Sequence, residues 1–330
     1  MPTATPEIVI LRALLENETG YVSGSNIARS LDMSRVAVWQ YMEKLRAQGF
    51  NFEAVRARGY RLTGRPTVIN RSLIEAYLSG RNLIFGLECV DEIDSTNDEA
   101  MRQLAAGRGT PFVVIAKRQT RGRGRFGRTW QSEADGNLYA SFAFRPQVAP
   151  ERMQTFTLWM GINVCEVVAN STRGDPGVKW PNDILFDGQK AGGMLTEARM
   201  DADQIRDLVF GLGLNINHAP EALPETPTRR ATSLAEQTHA ALDINKFTAA
   251  LIGRVLDAYD QFVSGDYKKT FADRWHACDV LRDKPISLVH GPKTIKGTVL
   301  GIDDEGSLLV RSEKGKTERF RAGEVTLEKG

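Results

Sequence analysis

Four arginines alternate with three glycines over Arg121-Gly122-Arg123-Gly124-Arg125-Phe126-Gly127-Arg128, and Thr129-Trp130 close the stretch. It follows a largely β-branched apolar run, Phe112-Val113-Val114-Ile115-Ala116. Glycine lets backbone approach a ligand closely and take positive φ. Arginine presents a planar fork of donors that suits phosphate or carboxylate. That much positive charge in one loop repels itself, so an anion is its natural partner. Other readings stay open at this point. Gly122-x-Gly124-x-x-Gly127 fits the dinucleotide fingerprint in form. However, no apolar helix follows it, and no carboxylate stands about 20 residues on at a strand end, as that motif requires. An arginine–glycine segment for single-stranded nucleic acid and a plain solvated basic loop are further alternatives.

Three other stretches carry groups that could do chemistry. Asp94-Ser95-Thr96-Asn97 stands at a strand end, and Thr96-x-x-Glu99 reads as a capping box for the helix that follows. Ser95, Thr96 and Asn97 then form a polar nest at a helix N-terminus. Lys179-Trp180-Pro181-Asn182-Asp183 leads through a run to the turn signal Asp187-Gly188, and Lys190-Ala191-Gly192-Gly193 returns from it. This reads as two lysines and two small residues facing one another across a hairpin. In Leu208–Ile216, alternation puts Val209, Gly211, Gly213 and Asn215 on one face and Leu208, Phe210, Leu212, Leu214 and Ile216 on the other. Glycines inside a strand mark a close approach, by a ligand or by a packed element.

The elements that must position these groups change character along the chain. Residues 7–17, Ser23–Leu31 and Ser34–Ala47 read as helices, with Asp32-Met33 as a tight turn. That spacing is the helix-turn-helix arrangement. Phe50–Val55 and Tyr60–Leu62 flank Arg56-Ala57-Arg58-Gly59, a hairpin with a basic tip, or wing. Ser34, Arg35 and Val36 at the start of the third helix, with Arg56 and Arg58, are the DNA-contact candidates. A packing or dimerisation module is the alternative. Gly64–Thr67 reads as a linker, and residues 68–277 alternate strands with helices. From residue 280 short strands with turns at His290-Gly291, Asp303–Gly306 and Lys314-Gly315 predict a small SH3-like β-barrel. The expected divisions are therefore 1–64, 68–277 and 280–330.

The chain's 330 residues exceed one comfortable core. A net charge of +2 is too small for bulk attraction to nucleic acid or membrane, so any basic surface is local. Cys89, Cys165 and Cys278 have no CxxC spacing, which predicts reduced thiols and no zinc site. No secretory signal or membrane span is legible. A soluble, cytoplasmic protein is expected, with no membrane partner.

Together these landmarks resemble the bifunctional biotin–protein ligases that also serve as biotin-operon repressors. The hallmarks are Asp94-Ser95-Thr96-Asn97, Gln119 with the arginine–glycine loop through Trp130, Lys179–Asp183, Lys190-x-Gly192-Gly193 and Gly211-x-Gly213-x-Asn215. The resemblance covers nearly the whole chain. It implies an α+β protein: an N-terminal winged helix-turn-helix, a central mixed-sheet domain like class II aminoacyl-tRNA synthetases, and the C-terminal SH3-like barrel. It further implies a biotin site of Ser95, Thr96, Asn97, Gln119, Gly122, Arg123, Gly124, Arg125, Lys190 and Gly193. Arg123, Arg125, Arg128, Trp130, Lys179, Asn182 and Asn215 would serve ATP, with Arg125 and Lys190 as the catalytic pair and Mg²⁺ assisting. The implied partners are a biotin carboxyl carrier protein offering a lysine, operator DNA and a second copy in a homodimer. One departure is that some regulatory members place an aromatic residue over adenine after the glycine strand, where this chain reads Arg229-Arg230-Ala231-Thr232. A biotin-sensing repressor without catalysis and a lipoate-type ligase are the alternatives.

Overall fold

The computed structural model describes residues 5–132, 135–220 and 231–328. Arg229 and Arg230 lie outside the described residues. Packing groups the chain into two compact units, Met1–Ile84 with Asp243–Gly253, and Phe85–Leu242 with Arg254–Gly330.

The first unit begins with helices α1 (Pro6–Leu15), α2 (Gly24–Ser30) and α3 (Arg35–Ala47). The strands β1 (Asn51–Val55) and β2 (Gly59–Gly64) pair antiparallel, and helix α4 (Arg71–Leu78) follows. The Ser34 hydroxyl accepts from the Ala37 amide at 3.1 Å, which satisfies one of the free donors at the start of α3. Val38, Met42 and Leu45 recur at helical spacing and are buried with Ile10, Leu11, Leu14, Ile27 and Phe50. Arg35, Val36, Trp39 and Gln40 face outward, as expected. Val22 exchanges both backbone hydrogen bonds with Tyr60, so the hairpin is tied to the approach to α2.

Residues 64–67 are more firmly held than a linker would be. The Arg65 guanidinium pairs with Glu18 at 2.9 Å and donates to the Tyr77 hydroxyl. The Asn245 side chain donates to the carbonyls of Pro66 and Val68. The first compact unit therefore runs on through residue 84. The reason is α4, whose Leu73 and Ala76 complete the core of the first three helices. The C-terminal strands group with the central sheet and not as a third unit.

The second unit contains strand β3 (Gly86–Ile93), helix α5 (Thr96–Ala105), strands β4 (Phe112–Gln119) and β5 (Leu138–Phe144), and helix α6 (Arg152–Thr172). Strands β6 (Pro176–Lys179), β7 (Asp183–Phe186), β8 (Gln189–Asp201) and β9 (Gln204–Leu214) come next. Helix α7 (Leu234–Thr238) precedes α8 (Ile244–Ser264), which gives its first residues to the first unit, and α9 (Phe271–Cys278). The sheet order is β3-β4-β5-β9-β8-β7-β6, with β3 and β4 parallel and the other neighbours antiparallel. This is the mixed sheet expected.

Register sets which side chains share a face, because directly opposed residues point the same way. One row runs Val114, Ser141, Gly211, Leu195, and the next runs Ala116, Tyr139, Gly213, Gly193, Asp183. Helix α5 lies on this face, with Ala100 and Leu104 against Phe112, Val114, Ala143 and Val209. The opposite face carries Phe142 and Phe210 and packs on Phe156 of α6, whose ring also meets Phe144 and Phe262 edge-on. One face is thus filled by aromatic packing, and the glycine-bearing face is left for a site.

Strands β10 (Pro285–His290), β11 (Lys293–Ile302), β12 (Leu308–Ser312), β13 (Thr317–Phe320) and β14 (Glu324–Leu327) form a five-stranded antiparallel sheet in the order β13-β12-β11-β10-β14. The buried Trp180 indole N–H donates to the Gly306 carbonyl at 3.0 Å and joins this sheet to the central one.

Candidate functional site

A cavity of about 530 Å³ opens on the glycine-bearing face. Its wall includes Ser95, Thr96, Asn97, Gln119, Arg123, Gly124, Arg125, Arg128, Trp130, Lys179, Asn182, Lys190, Gly193 and Asn215. Of the residues implied for biotin and ATP, only Gly122 stands outside this wall. A Cβ at Gly122 would meet the Trp130 carbonyl at 2.4 Å and the Ser132 hydroxyl at 2.7 Å. Gly122 therefore serves the loop's own closure. Its carbonyl accepts from the Trp130 amide at 2.9 Å, and the Gly124 amide donates to the Arg128 carbonyl at 2.7 Å. The arginine loop is thus a tight hairpin, with a single helical turn at Arg125–Gly127 and exposed Phe126 at φ 56°.

The two glycines of β9 explain the shape of the cavity floor. A Cβ at Gly211 would lie 2.1 Å from Asn97 Oδ1, and one at Gly213 would lie 2.4 Å from the Trp130 ring. The close approach marked by these glycines is therefore made by Asn97 and Trp130, which themselves line the cavity. Asn97 is fixed from both sides, donating to the Leu195 carbonyl and Glu197 while accepting from Ser141 at 2.6 Å. The Ser141 hydroxyl also lies 2.8 Å from the Thr96 hydroxyl. Gln119 Oε1 accepts from the Thr96 amide at 2.8 Å, and Gln119 Nε2 donates to Ser132. Ser95, Thr96 and Asn97 are all buried, and this bonded chain holds their polar atoms in one orientation.

The capping reading shifts by one residue. Ser95 is the N-cap of α5, accepting from the Asp98 amide, so the Thr96–Glu99 box does not form. Ser and Thr both cap well, and the strand's exit after Asp94 decides between them. The hairpin reading also needs correction. Pro181 and Asn182 turn the chain between β6 and β7, so Lys179 stands opposite Asp183 and Lys190 opposite Leu185. The two lysines reach the same cavity from different strands rather than across one hairpin.

Each of several cations is held by a carboxylate. Arg123 pairs with Glu197 and Asp98, each at 2.7 Å. Lys190 pairs with Asp183 at 2.7 Å and lies 5.4 Å over the Trp130 ring. Arg128 pairs with Glu324 from the C-terminal sheet at 2.6 Å. Arg125 differs. Its guanidinium is partly buried, donates to Asn182 Oδ1 at 3.2 Å, and has no carboxylate partner among the described residues. Burial pushes its pKa below the ordinary arginine value, offset in part by the charges of Asp183 and Glu324. The Trp130 indole N–H is also buried and unpaired in the cavity wall. Asn215 donates to the Thr232 carbonyl at 3.0 Å, and Ala231 completes that side without an aromatic ring.

Three countercharges, Asp183, Glu197 and Glu324, were not legible as site residues. Asp183 stood inside a quoted motif. Alternation along β8 could have placed Glu197 on the face of Gly193 and Leu195. Nothing local marks Glu324, because it arrives from another sheet.

Asp94 anchors the loop's entry. Arg102 grips its carboxylate with two hydrogen bonds, the Ser95 amide and Arg121 side chain add one each, and its carbonyl accepts from the Arg121 amide. Arg102 above all holds the Asp94 carboxyl well below the usual carboxylate range. A depressed folded-state pKa means that this contribution to stability is present above the unfolded value, about 3.9. It is lost as pH falls from there towards the folded value. Thermal unfolding followed from pH 5 to pH 3 is expected to show a shallower loss of midpoint in Asp94→Asn than in the parent. An unchanged slope would remove Asp94 from this role.

In the first unit, Arg35 and Val36 are exposed at the start of α3 while the Ser34 hydroxyl is engaged as its cap. Arg56 and Arg58 are exposed at the hairpin tip, and Arg58 stacks 4.2 Å over the Tyr21 ring.

The architecture defines a winged-helix unit and a mixed-sheet unit with a deep cavity where cations and fixed polar groups converge. The Biotin/lipoate A/B protein ligase family matches residues 89–215, an HTH domain matches 7–61, and the Biotin protein ligase C terminal domain matches 283–327. The bifunctional ligase/repressor BirA of Bacillus subtilis is 31% identical over 325 residues, covering 95% of each chain. That of Escherichia coli is 29% identical over 317 residues, covering 96% of each. The biotin protein ligase from Aquifex aeolicus, solved in complex with biotin and ATP, is similar with a TM-score of 0.62 at 28% identity. The similarity covers 74% of this chain and 99% of the Aquifex one. The chain belongs to the biotin protein ligase family.

Proposed function

We propose that the protein is an ATP-dependent biotin–protein ligase that also acts as a biotin-responsive repressor. The observation that carries the reading is the convergence of Arg123, Arg125, Arg128, Lys179 and Lys190 on one cavity beside the fixed polar chain of Thr96, Asn97, Ser141 and Gln119. Joining a carboxylate to an α-phosphate brings two anions together, and that needs donors already oriented where charge develops. The fixed polar chain offers both donors and acceptors, which suits the ureido ring of biotin.

In the first step, a biotin carboxylate oxygen bonds to the α-phosphorus of ATP, and the bond to pyrophosphate breaks. Arg123 and Lys190 are assigned to the carboxylate and the acyl phosphate, and Arg125 to the charge shared between the two reactants. Arg128, Lys179, Asn182, Asn215 and Trp130 are assigned to the nucleotide. As the anions arrive they compete with Glu197, Asp183 and Glu324 for the cations that these carboxylates hold in place. Mg²⁺ is assigned to ATP as its complex. It would supply charge neutralisation at the phosphates, in the way Mg²⁺ is usually held by substrate phosphates with one or two carboxylates. In the second step a lysine of a biotin carboxyl carrier protein takes the acyl group. Detection of biotin in amide linkage on that lysine, dependent on ATP, tests the reading. Unmodified carrier with intact protein would favour a biotin-sensing repressor instead.

The winged unit is assigned to operator DNA, with Arg35 and Val36 reading bases and Arg56 and Arg58 meeting phosphate. So few phosphate contacts need a second copy, because affinity grows with the number of phosphates neutralised. A homodimer on a palindrome is therefore proposed. No helix among the described residues is long and apolar enough to cross a membrane. With ATP and DNA as partners, the cytoplasm is the proposed location. Arg56→Ala is expected to lower the slope of log K against log salt by about 0.9 for each phosphate that the side chain neutralises in the parent. Arg35→Ala is expected to relax base preference instead, and equal binding to operator and random DNA by the parent would overturn the repressor assignment.

A further inference from the structure

Helix α3 buries Val38, Met42 and Leu45, yet its outer side is not purely polar. Val36 and Trp39 are 66% and 51% exposed there, and a spacing of three residues sets them side by side. Among the described residues of α1, α2 and α3, no other large apolar side chain is exposed. Neither packs on the core of the first unit, whereas Leu31, Met33 and Tyr41, close to them in sequence, do. Helical side chains lean towards the helix N-terminus, so the Trp39 indole covers the turn that carries Arg35 and Val36. Resting on the repressor reading, we infer that Val36 and Trp39 form one apolar surface that reads the 5-methyl groups of thymines in the operator.

Position is the first argument. In a helix-turn-helix the N-terminal residues of the second helix meet base edges in the major groove. Chemistry is the second. Every base pair presents donors and acceptors in that groove, and the thymine 5-methyl is the apolar group among them. A valine and the carbon edge of an indole have nothing to offer a donor or acceptor, and they match a methyl group. Charge is the third, and it decides what covers this face. Arg35 directly precedes Val36 and is exposed, as are Arg29 of α2 and Arg56 of the hairpin tip. None of the three has a carboxylate partner among the described residues. A second copy seated on the same patch by two-fold symmetry would bring these like charges together, whereas a polyanion takes them up. The arginines then fix orientation on phosphate, which carries no sequence information, and the apolar pair supplies a share of the sequence reading.

The test removes the methyl group without touching the protein. The full chain, with biotin and ATP, first selects its preferred duplex from a randomised library. That duplex is then remade with each thymine replaced in turn by uracil. For the parent, uracil at a thymine that is read is expected to weaken binding about three- to fivefold, the ratio for one buried methyl group. Trp39→Ala should lose roughly tenfold on the unmodified duplex, as expected for a tryptophan anchor. It should also abolish the uracil penalty at one thymine, because the contact is already gone. Val36→Ser should abolish the penalty at a different thymine. Trp39→Phe should retain most of both affinity and penalty. In each variant the slope of log K against log salt is expected to match the parent, since no phosphate contact is lost.

A parent that is indifferent to uracil at every thymine overturns the inference. So does a Trp39→Ala variant that keeps the full penalty. A lowered salt slope with an unchanged penalty overturns it in favour of a backbone contact. A change in sedimentation of Trp39→Ala without DNA, with the penalty unchanged, overturns it in favour of a second copy of the chain. A parent that selects no sequence from the library overturns the repressor reading and this inference together.

Discussion

Replacing Arg125 by alanine is expected to slow adenylate formation about 10²–10³-fold, or ~3–4 kcal/mol, the usual effect of removing one preorganised donor to developing charge. Arg125 is the reason to expect the largest loss. Among the described residues it has no carboxylate partner, and burial strips water from its guanidinium. An anion arriving there meets a cation that breaks no ion pair, whereas Arg123, Arg128 and Lys190 must release Glu197, Glu324 and Asp183. The adenylate should also leave the variant faster, measured as intermediate released into solution after rapid gel filtration. Normal synthesis and retention, with loss confined to recognition of the carrier, would contradict this role.

Lys190→Ala is expected to impair both steps, because the proposed assignment sets its ammonium against the carboxylate before activation and the acyl phosphate after it. The position supports this: Lys190 reaches Asp183 at 2.7 Å and lies over Trp130, whose ring stands against Gly193 and Gly213. A loss on the order of 10²-fold in each step follows if each loses one charge-stabilising donor. The substitution also leaves Asp183 without its partner, and an unpaired charge beside a cavity carries its own penalty. Lys190→Ala with Asp183→Asn separates the two effects. If the double variant recovers near-parent turnover, the lysine serves only to neutralise Asp183. Unfolding midpoints of parent and single variant are expected to agree closely, and normal turnover in the single variant would return Lys190 to a solvated surface role.

Much of the site was legible because its groups sit at element ends with strong local grammar. The alternation in β9 announced a close approach at Gly211 and Gly213, and the structure names the occupants as Asn97 and Trp130. The arginine loop was legible by charge alone. What escaped notice depends on distant sequence. Glu324 reaches Arg128 across 196 residues, and Glu197 meets Arg123 only through the register of β8 on β9. The firm hold on residues 64–67 escaped notice for a related reason. Gly64-Arg65-Pro66 has the composition of a linker, but α4 buries Leu73 and Ala76 in the preceding core and Arg65 is held by Glu18 and Tyr77. Composition reports local conformational freedom, and long-range packing can remove it. The paired lysines were misplaced because Pro181 and Asn182 turn the chain inside what looked like one strand.

The most direct test of the account is ATP–pyrophosphate exchange by the full chain, run with biotin, with lipoate and with no acid. The cation-lined cavity and its fixed polar chain predict exchange that requires biotin and is not supported by lipoate. Exchange with no acid present, with lipoate in preference to biotin, or with neither acid would contradict the central claim.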